Sequence, residues 1–582
     1  MPSSDLQKEE DALGTWPRRL LHVKTLTSYE WQPGNFYGGY KEPAYNAISY
    51  TWGRYRLKEG IAPDVESLPL IGTDWLDQLP RIDPEHFTSA QLRDVIKVAS
   101  TLSMRADSFG SLVTHQVEFI WLDIACIDQR EGEPRSFAEI GRQALIFRGA
   151  NTTLVWLNKT INSKVEHIWR SRDWWFQEPS EHTDETSQDA VASMNNFVSI
   201  LKDPWFSSLW TLQEAYLRPD AIILSRTGKA IMSGAMVLTL AEILEWGRIS
   251  DNFCTRRVHG TAEDPRLQEI RNIIQSKGLV ALRARNKMAL LNASMHRTAS
   301  IPSDRVYGIQ QVFGFRLGKT SINAQAGQEY TLDALEVQLA EEILTNEPIL
   351  SQTHVFMHPV PVRDRWKMNA CSMVPSSIKT LEPRDDPKFK RRCSFWVQKS
   401  GPEIEEVWWK GCTTPLEKLA DPASWGIRVL SPLPDSDEDH EWWLDPRVKE
   451  DAWWPHYALE IYPDVTEELY DYAKFENPPS YDIIPRGEAC FDFAEWLVRK
   501  YSPATTQVLL MGSILEEGRR QGLGIGLVLV EQQDNFWMRV GVCQWWVPQD
   551  IGTLKQFLEG KGADWEDREG IFGYVQSSAT FI

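Results

Sequence analysis

Short runs of apolar residues recur along the first half of the chain, and each run ends in polar residues or a glycine turn. The runs cover residues 44–50, 119–124, 153–157 and 221–224. A nearly continuous apolar run of this length is typical of a strand buried on both faces, as in a parallel sheet. The pattern therefore predicts four strands.

Between these runs, apolar residues follow the spacing of an α-helix. Ser89 is the expected N-cap of a first helix. The apolar face of this helix is formed by Leu92, Val95, Ile96, Ala99 and Leu102. Further helices are expected over residues 136–148, 191–201 and 209–217, the last capped by Ser207 or Ser208. Strands that alternate with helices predict an α/β fold with a doubly wound parallel sheet.

The pattern changes after this α/β region. Residues 235–350 are dominated by helical spacing, and residues 350–480 are acidic, rich in proline and predicted to form loops. Near the end, residues 523–531 and 536–546 flank a polar QQDN and predict a β-hairpin. The predicted domains are a leader (1–40), an α/β domain (41–235), a helical extension of it (236–350), and a mixed α+β, Trp-rich C-terminal accessory region (351–582).

Composition narrows the function classes. The 62 Lys and Arg residues against 81 Asp and Glu residues give a net charge of −19, which argues against binding to nucleic acid. Seven scattered cysteines without a CxxC pair predict neither a disulfide framework nor a zinc site. No apolar secretory signal and no membrane-spanning run is present, so a cytoplasmic protein is expected. The 26 tryptophans, several of them paired, are expected to anchor cores or interfaces.

Five segments in order resemble the heterokaryon-incompatibility (HET) domain of filamentous-fungal proteins. They are YNAISYTWG (45–53), FIWLDIACIDQ (119–129), TLVWL (153–157), DPWFSSLWTLQEA (203–215) and RTASIPSDRVYGIQQVFG (297–314). The resemblance covers about half of the chain. It implies self/non-self recognition with cell-death signalling, and association with protein partners or with further copies of the chain. It also implies a fold like that of Toll/interleukin-receptor (TIR) domains, which belongs to the flavodoxin-like class.

The chain departs from the family at two places. Ser208 stands where the family commonly has an arginine, two residues before the Trp of WTLQE. The Glu-Arg pair that follows CIDQ is displaced, and Arg135 lies near its place. If the family arginine pairs with a carboxylate, Arg135 or Arg218 is the candidate to replace it. An arginine that makes two-pronged contacts has no conservative substitute, so an inactive homologue is one of the open alternatives.

In a doubly wound sheet, ligands bind at the carboxyl ends of the strands. Residues 50–54, Asp123, Asp128 and Gln129 follow the first two strands, and a later helix brings Trp210, Gln213 and Glu214. The TIR resemblance implies that Glu214, in the motif S-x-W-x-x-x-E, is the catalytic carboxylate of an NAD+ glycohydrolase. The candidate binding residues are Tyr50, Trp52, Gly53, Arg54, Asp123, Asp128, Gln129 and Trp210. Trp52 or Trp210 would stack on the substrate, and Arg54 would meet the pyrophosphate.

Each of these residues has a structural alternative. Glu214 has the spacing to pair with Arg218 on the surface of its own helix. Trp52 and Trp210 fit a core, Asp123 and Asp128 fit loop caps, and Cys126 fits a small buried thiol better than a nucleophile. Three functions stay open: a recognition module that triggers cell death, an NAD+ glycohydrolase, or an inactive homologue acting as an interaction module. No cofactor and no metal is required, and NAD+ enters only as a possible substrate.

Overall fold

The chain folds into two compact units, Met1–Leu339 and Ala340–Ile582, in the computed structural model. The residues described are 3–58, 60–67, 70–72, 80–104, 112–130, 133–171, 184–233, 236–258, 265–321, 324, 328–361, 364–370, 372–375, 378, 390–391, 393–400, 403–417, 459–464, 496–502, 505–515, 521–533, 536–548 and 576–581. The predicted domain boundaries at 40/41, 235/236 and 350/351 stay predictions.

The first unit is built on one large sheet with helices around it. Its strands are β1 (Arg19–His22), β2 (Thr27–Gln32), β3 (Phe36–Tyr37), β4 (Tyr40–Lys41), β5 (Tyr45–Ser49), β6 (Leu102–Met104), β7 (Leu112–Thr114), β8 (Phe119–Trp121), β9 (Thr153–Trp156), β10 (Ile222–Leu224), β11 (Met232–Ser233) and β12 (Met236–Val237). The four predicted apolar runs form β5, β8, β9 and β10, and every residue of these strands is buried.

Helices and helical turns connect these strands and continue beyond them. They are α1 (Ser3–Leu13), α2 (Ser89–Ala99), α3 (Asp123–Cys126), α4 (Pro134–Ile140), α5 (Gln143–Gly149), α6 (Asn162–Ser171), α7 (Asp184–Leu201), α8 (Leu209–Leu217), α9 (Leu240–Val258), α10 (Pro265–Ser276), α11 (Leu279–Ala284), α12 (Lys287–Met295), α13 (Asp304–Tyr307), α14 (Gln310–Phe313) and α15 (Leu332–Asn346). The helix-dominated stretch after residue 235 is therefore confirmed for the described residues.

The large sheet has a parallel part and an antiparallel part. Its strand order is β10-β9-β5-β8-β1-β2-β3-β4. The first four of these strands are parallel, whereas β1 pairs antiparallel with β8 and continues into the meander β2-β3-β4. Counted along the chain, the parallel strands lie in the order second, first, third, fourth. A mixed sheet thus replaces the purely parallel one expected, because residues 19–41, predicted as a leader, add strands to its edge.

Several element ends differ from the prediction for local reasons. Thr88, not Ser89, is the N-cap of α2, since its side chain accepts from the Gln91 amide and Gln91 completes a capping box. Residues 123 and 124, expected to end the strand predicted over 119–124, belong to the helical turn α3 instead. The helix expected over 136–148 is divided at Gly141 and Arg142 into α4 and α5.

The second unit contains α16 (Pro348–Ser351) and a second large sheet. Strands β13 (Val355–Phe356) and β14 (Ser372–Met373) form a separate two-stranded sheet. The large sheet contains β15 (Lys390–Arg391), β16 (Cys393–Ser400), β17 (Glu403–Pro415), β18 (Leu459–Pro463), β19 (Thr506–Leu515), β20 (Gln521–Gln533), β21 (Phe536–Pro548) and β22 (Gln576–Phe581). The predicted hairpin is confirmed as the antiparallel pair β20–β21. Most of the expected loop region lies outside the described residues, as do Trp174-Trp175, Trp442-Trp443 and Trp453-Trp454.

Glycines in β20 make room for a tryptophan of β21. A Cβ atom on Gly524 would lie 2.3 Å from the ring of Trp545, and one on Gly526 would lie 2.5 Å from Val508. Trp545 is 1% exposed. The GLGIG sequence therefore serves packing within a strand, and the expected burial of tryptophans is confirmed for Trp545 and Trp409. Trp396 is an exception, because it is 41% exposed.

Asn46 fastens the central strand β5 to its surroundings. Its side-chain nitrogen donates to the carbonyls of Ala99 (2.7 Å) and Leu102 (3.0 Å), and its oxygen accepts from the amide of Thr152 (3.1 Å). The residue has no exposed surface. The Asn46 side chain thus satisfies three backbone groups, two at or just after the end of α2 and one just before β9. These bonds fix the position of β5 along the strand direction of the sheet.

We expect Asn46→Leu to destabilise the first unit by about 2–4 kcal/mol, because three buried backbone groups lose their partner. Calorimetric unfolding of the full chain measures the change. Asn151→Leu, at an exposed asparagine directly before β9, is the control and should shift the transition by less than about 0.5 kcal/mol. Equal shifts for the two variants would contradict the role given to Asn46.

Candidate functional site

Helix α8 is held in place by buried polar contacts on both of its sides. The Gln213 side chain donates to Gln143 (3.0 Å) and accepts from the backbone amide of Gln311 (3.0 Å), and it is completely buried. Before the helix, Asp203 accepts from the amides of Trp205 (3.1 Å) and Lys159 (2.7 Å). Because these contacts fix the helix, the residue after Gln213 has a defined position at the carboxyl end of β5.

Glu214 meets the last residue of β5 at this position. The hydroxyl of Ser49 donates a short hydrogen bond to the Glu214 carboxylate. The same hydroxyl accepts from the indole nitrogen of Trp205 at 2.7 Å, which orients it toward Glu214. Ser49 and Trp205 are buried, whereas Glu214 keeps some exposed surface. The site therefore presents the carboxylate of Glu214, which is held by the oriented hydroxyl of Ser49.

The charge state of Glu214 is unusual for a glutamate. The pKa of Glu214 is raised to about 8 in total: burial is the main cause, the Ser49 hydrogen bond lowers the pKa, and the negative charge of Asp123 raises it. Without a ligand, Glu214 is therefore mostly protonated at neutral pH. A positive charge nearby would favour the ionised form.

The expected pair between Glu214 and Arg218 is wrong. Arg218 instead makes two 2.8 Å contacts with Asp220 and donates to the carbonyls of Phe147 (2.7 Å) and Ala150 (2.9 Å). These contacts point Arg218 toward the end of α5. Among the residues that the structure describes, Glu214 has no cationic partner.

Asp123, Trp52 and Tyr50 form a second group beside Glu214. The Trp52 indole donates to Asp123 at 2.8 Å, and the Ile124 amide donates to the same carboxylate at 2.7 Å. Burial raises the pKa of Asp123, while hydrogen bonds from Trp52, Ile124 and the Tyr50 hydroxyl lower it. Since Asp123 raises the pKa of Glu214, the two carboxylates lie within electrostatic reach of each other. Glu214 on α8 and Asp123 after β8 thus form a carboxylate pair near the carboxyl ends of β5 and β8.

The other candidate binding residues differ in their exposure and in the groups that they contact. Arg54 is exposed and donates to the Pro204 carbonyl at 3.0 Å, and Gln129 donates to the Asp123 carbonyl at 3.3 Å. Gly53 is exposed, with nothing around its Cα that requires a glycine. Asp128 pairs with Arg130 instead.

Trp210 and Ser208 lie at the start of α8. The Trp210 indole donates to Asp304 at 3.3 Å. Ser208 is the N-cap but makes no side-chain cap bond, and its carbonyl accepts from the buried Arg297 at 2.9 Å. The candidate replacements for the family arginine have carboxylate partners elsewhere: Arg135 pairs with Glu9 and Glu30, and Arg218 with Asp220. Arg297 is the arginine that contacts position 208.

The sequence analysis missed several residues of the site. Ser49, Asp203 and Trp205 lie inside the motifs quoted above, but nothing in the spacing indicates that Ser49 contacts Glu214 or that Trp205 contacts Ser49. Burial raises the pKa of Asp203 to about 6. The Nε2 atom of His86 donates to the Thr51 carbonyl oxygen at 2.6 Å, and burial lowers the pKa of His86 to about 4. His86 is therefore neutral at physiological pH.

Cys126 is not a nucleophile of this site. The thiol is buried, and burial raises its pKa to about 12. A thiol that stays protonated is a poor nucleophile. The interpretation as a small buried side chain is confirmed.

Comparison with known proteins gives one match. Residues 45–214 match the family model described as heterokaryon incompatibility protein (HET). This stretch of the chain is similar to the HET family, and we refer to residues 45–214 as the HET domain. No curated protein and no solved structure matches the chain. The matched residues include the strands β5, β8 and β9 and end at Glu214.

Neither a membrane-spanning helix nor a metal-binding cluster is found among the described residues. No described helix has both the length and the hydropathy to cross a bilayer. Within the described residues, no group of three or more His, Cys, Asp or Glu side chains is arranged to hold a metal ion.

We expect Glu214→Gln to raise the melting temperature of the HET domain at about pH 8.5. Because the pKa of Glu214 rises from 4.5 to about 8 on folding, the stability it contributes is complete below pH 4.5 and is lost as the pH rises through about 8. Glutamine removes that loss, with a gain of a few kcal/mol at pH 8.5 that vanishes toward pH 4.5.

Differential scanning calorimetry across this pH range is the measurement. Glu118→Gln is the control, since Glu118 is exposed and its pKa is lowered by a hydrogen bond from Lys24. That variant should not gain stability with pH. A Glu214→Gln variant less stable than the parent at high pH would show that burial does not raise the pKa.

Proposed function

We propose that the HET domain acts in incompatibility-type self/non-self recognition and triggers cell death by cleaving the nicotinamide–ribose bond of NAD+. In this proposal the domain has a TIR-like fold, works in the cytoplasm and associates with protein partners or with further copies. The order of the parallel strands supports the fold assignment, since second-first-third-fourth is how the flavodoxin-like class begins. The motif from Ser208 to Glu214 on a later helix also supports it.

One observation carries the proposal: Glu214 lies at the carboxyl end of the first parallel strand, bound to Ser49, with its pKa raised to about 8. Ligands of doubly wound sheets bind at this edge. Strongly shifted carboxyl groups in such places are typical of functional sites. A helix-surface glutamate would keep an ordinary pKa.

The chemistry of the reaction suits this carboxylate. Cleavage of an N-glycosidic bond passes through a state in which C1′ of the ribose is positive. The leaving nicotinamide departs as a neutral molecule from a cationic ring, so it needs no strong acid. The pair of electrons in the C1′–N bond leaves with nicotinamide, water adds to C1′, and one proton is released. An ionised Glu214 stabilises the positive charge as it develops.

The protonated resting state fits a cationic substrate. A nicotinamide ring that carries positive charge favours the ionised Glu214 when it binds, so the proton leaves as the substrate arrives. Asp123 adds a second negative charge to the site. Trp52 is held by Asp123 and offers a partly exposed indole, while Arg54 is exposed beside its contact with the Pro204 carbonyl and would meet a pyrophosphate.

A second candidate is an interaction module without catalysis. It is favoured by Ser208, which stands at the family's arginine position, and by the fact that Glu214 already has a partner in Ser49. In that case the contact would serve folding alone. The two candidates differ in what they predict for Glu214 variants.

We expect Glu214→Gln to reduce nicotinamide release from NAD+ by about 100-fold or more, because one electrostatic contact to the transition state is lost. The full chain is incubated with NAD+, both in solution and concentrated on a crowding surface, and nicotinamide is measured by chromatography. Glu118→Gln should retain full activity. Expression in a fungal host adds a second readout: cell death that persists with Glu214→Gln would favour the interaction module, and a parent chain that releases no nicotinamide in either condition would reject the enzyme.

We expect kcat/KM to rise with pH through about 8, since the ionised Glu214 is the active form. Ser49→Ala should move this rise to higher pH, because the hydroxyl that stabilises the carboxylate is removed. Ser199→Ala is the control: its hydroxyl bonds only to the Asn196 carbonyl one turn earlier. If the rise of kcat/KM stays at the same pH after Ser49→Ala, the rise does not report the ionisation of Glu214.

A further inference from the structure

Asn158 lies directly after β9, in a segment whose backbone is fixed on both sides. The Leu157 amide donates to the Leu224 carbonyl of β10 at 3.0 Å, and the Lys159 amide donates to Asp203 at 2.7 Å. Asn158 stands between these two contacts and is 1% exposed. Its position is therefore set by the fold and not by its own side chain.

The carboxamide of Asn158 has no partner among the described residues. Neither its nitrogen nor its oxygen makes a hydrogen bond. Buried amides in proteins are almost always bonded, and one that is unpaired at both atoms is costly to keep. Asn46 shows the usual outcome in the same domain, since both atoms of its amide are bonded. The exception at Asn158 therefore needs an explanation.

Lys159, the residue after Asn158, is linked to the catalytic candidate through a short chain of hydrogen bonds. Asp203 accepts from the amide of Lys159 and from that of Trp205, the Trp205 indole donates to Ser49, and Ser49 donates to Glu214. β5 and β9 are adjacent parallel strands, with Ser49 level with Val155. Asn158 and Glu214 thus belong to the same carboxyl edge of the sheet.

This edge is also the point where the strand order reverses. From β5 the chain passes to β8 on one side and then to β9 on the other. The crevice at such a reversal is where doubly wound folds hold their ligands. Next to it, the ring of Trp156 packs on Phe87, with centroids 4.9 Å apart, and is stacked with Tyr50. The buried indole nitrogen of Trp156 also lacks a partner among the described residues.

We propose that Asn158 is a specificity-determining residue that pairs with the edge of a planar heterocycle carrying a hydrogen-bond donor and an acceptor side by side. An asparagine amide offers the matching acceptor and donor, as it does when it binds adenine. This inference rests on the proposed function, because NAD+ has two such edges: the carboxamide of its nicotinamide and the amino edge of its adenine.

The test compares dinucleotides that differ at one edge. Binding to the full-length Glu214→Gln chain, which does not consume the ligand, is measured by calorimetry for NAD+, nicotinic acid adenine dinucleotide and nicotinamide hypoxanthine dinucleotide. The first analogue loses the donor of the carboxamide, and the second replaces the adenine amino group by a carbonyl. We expect one of the two to bind about tenfold or more weakly than NAD+, and that analogue identifies the edge.

Asn158→Leu in the same chain should weaken NAD+ binding by about tenfold or more and abolish the preference between NAD+ and the weaker analogue. Its melting temperature without ligand should be unchanged or higher, because an unpaired polar group is removed. A merely structural asparagine would give the opposite, a lower melting temperature with the preference intact. Asn151→Leu, before the same strand, is the control and should leave binding, preference and melting temperature unchanged.

Three outcomes would overturn the inference: equal binding of all three dinucleotides, binding of none, or a preference that survives Asn158→Leu. If Asn158→Leu does not fold, Asn158→Ala in the same Glu214→Gln chain replaces it, with the same expected loss of NAD+ binding and of ligand preference. The proposed function fails separately, when the chain with Glu214 intact releases no nicotinamide. A ligand preference found together with that result would leave Asn158 a recognition residue of a HET domain that binds without cleaving.

Discussion

Strand β5 lies between two parallel neighbours and is buried along its whole length, so each polar side chain on it must find its partner inside the protein. The Tyr45 hydroxyl donates to the Ile146 carbonyl, Asn46 binds the end of α2, and Ser49 binds Glu214. These hydrogen bonds satisfy the polar side chains of β5, and they also hold the neighbouring helices in place. The position of Glu214 is a consequence of the burial of β5.

The matched HET region does not hold its candidate site by itself. Helix α8 receives support from residues beyond position 214: Gln311 bonds to Gln213, Asp304 to Trp210 and Arg297 to the Ser208 carbonyl. These residues belong to the segment 297–314, whose resemblance to HET proteins was noted from the sequence. That segment therefore has a physical role, because it fastens the helix that carries Glu214.

The strands and α8 could be predicted because burial on both faces leaves a continuous apolar run, as in residues 153–157. The edge strands from residue 19 onward lack this pattern, since one side of β2 is exposed. Glu214 and its helix were found from a motif, but its partner was not. Local spacing favoured Arg218, whereas the true partner, Ser49, is 165 residues away in sequence. The unpaired state of Asn158 depends on everything packed around it and has no trace in the sequence.

The proton on Glu214 connects the HET domain to the condition of the cell around it. With a pKa of about 8, most molecules hold this proton at neutral pH, and only a minority present a charged carboxylate. Each unit of acidification lowers that minority about tenfold. In the proposed mechanism, a fall in the pH around the domain therefore lowers its activity, and a slightly alkaline pH raises it.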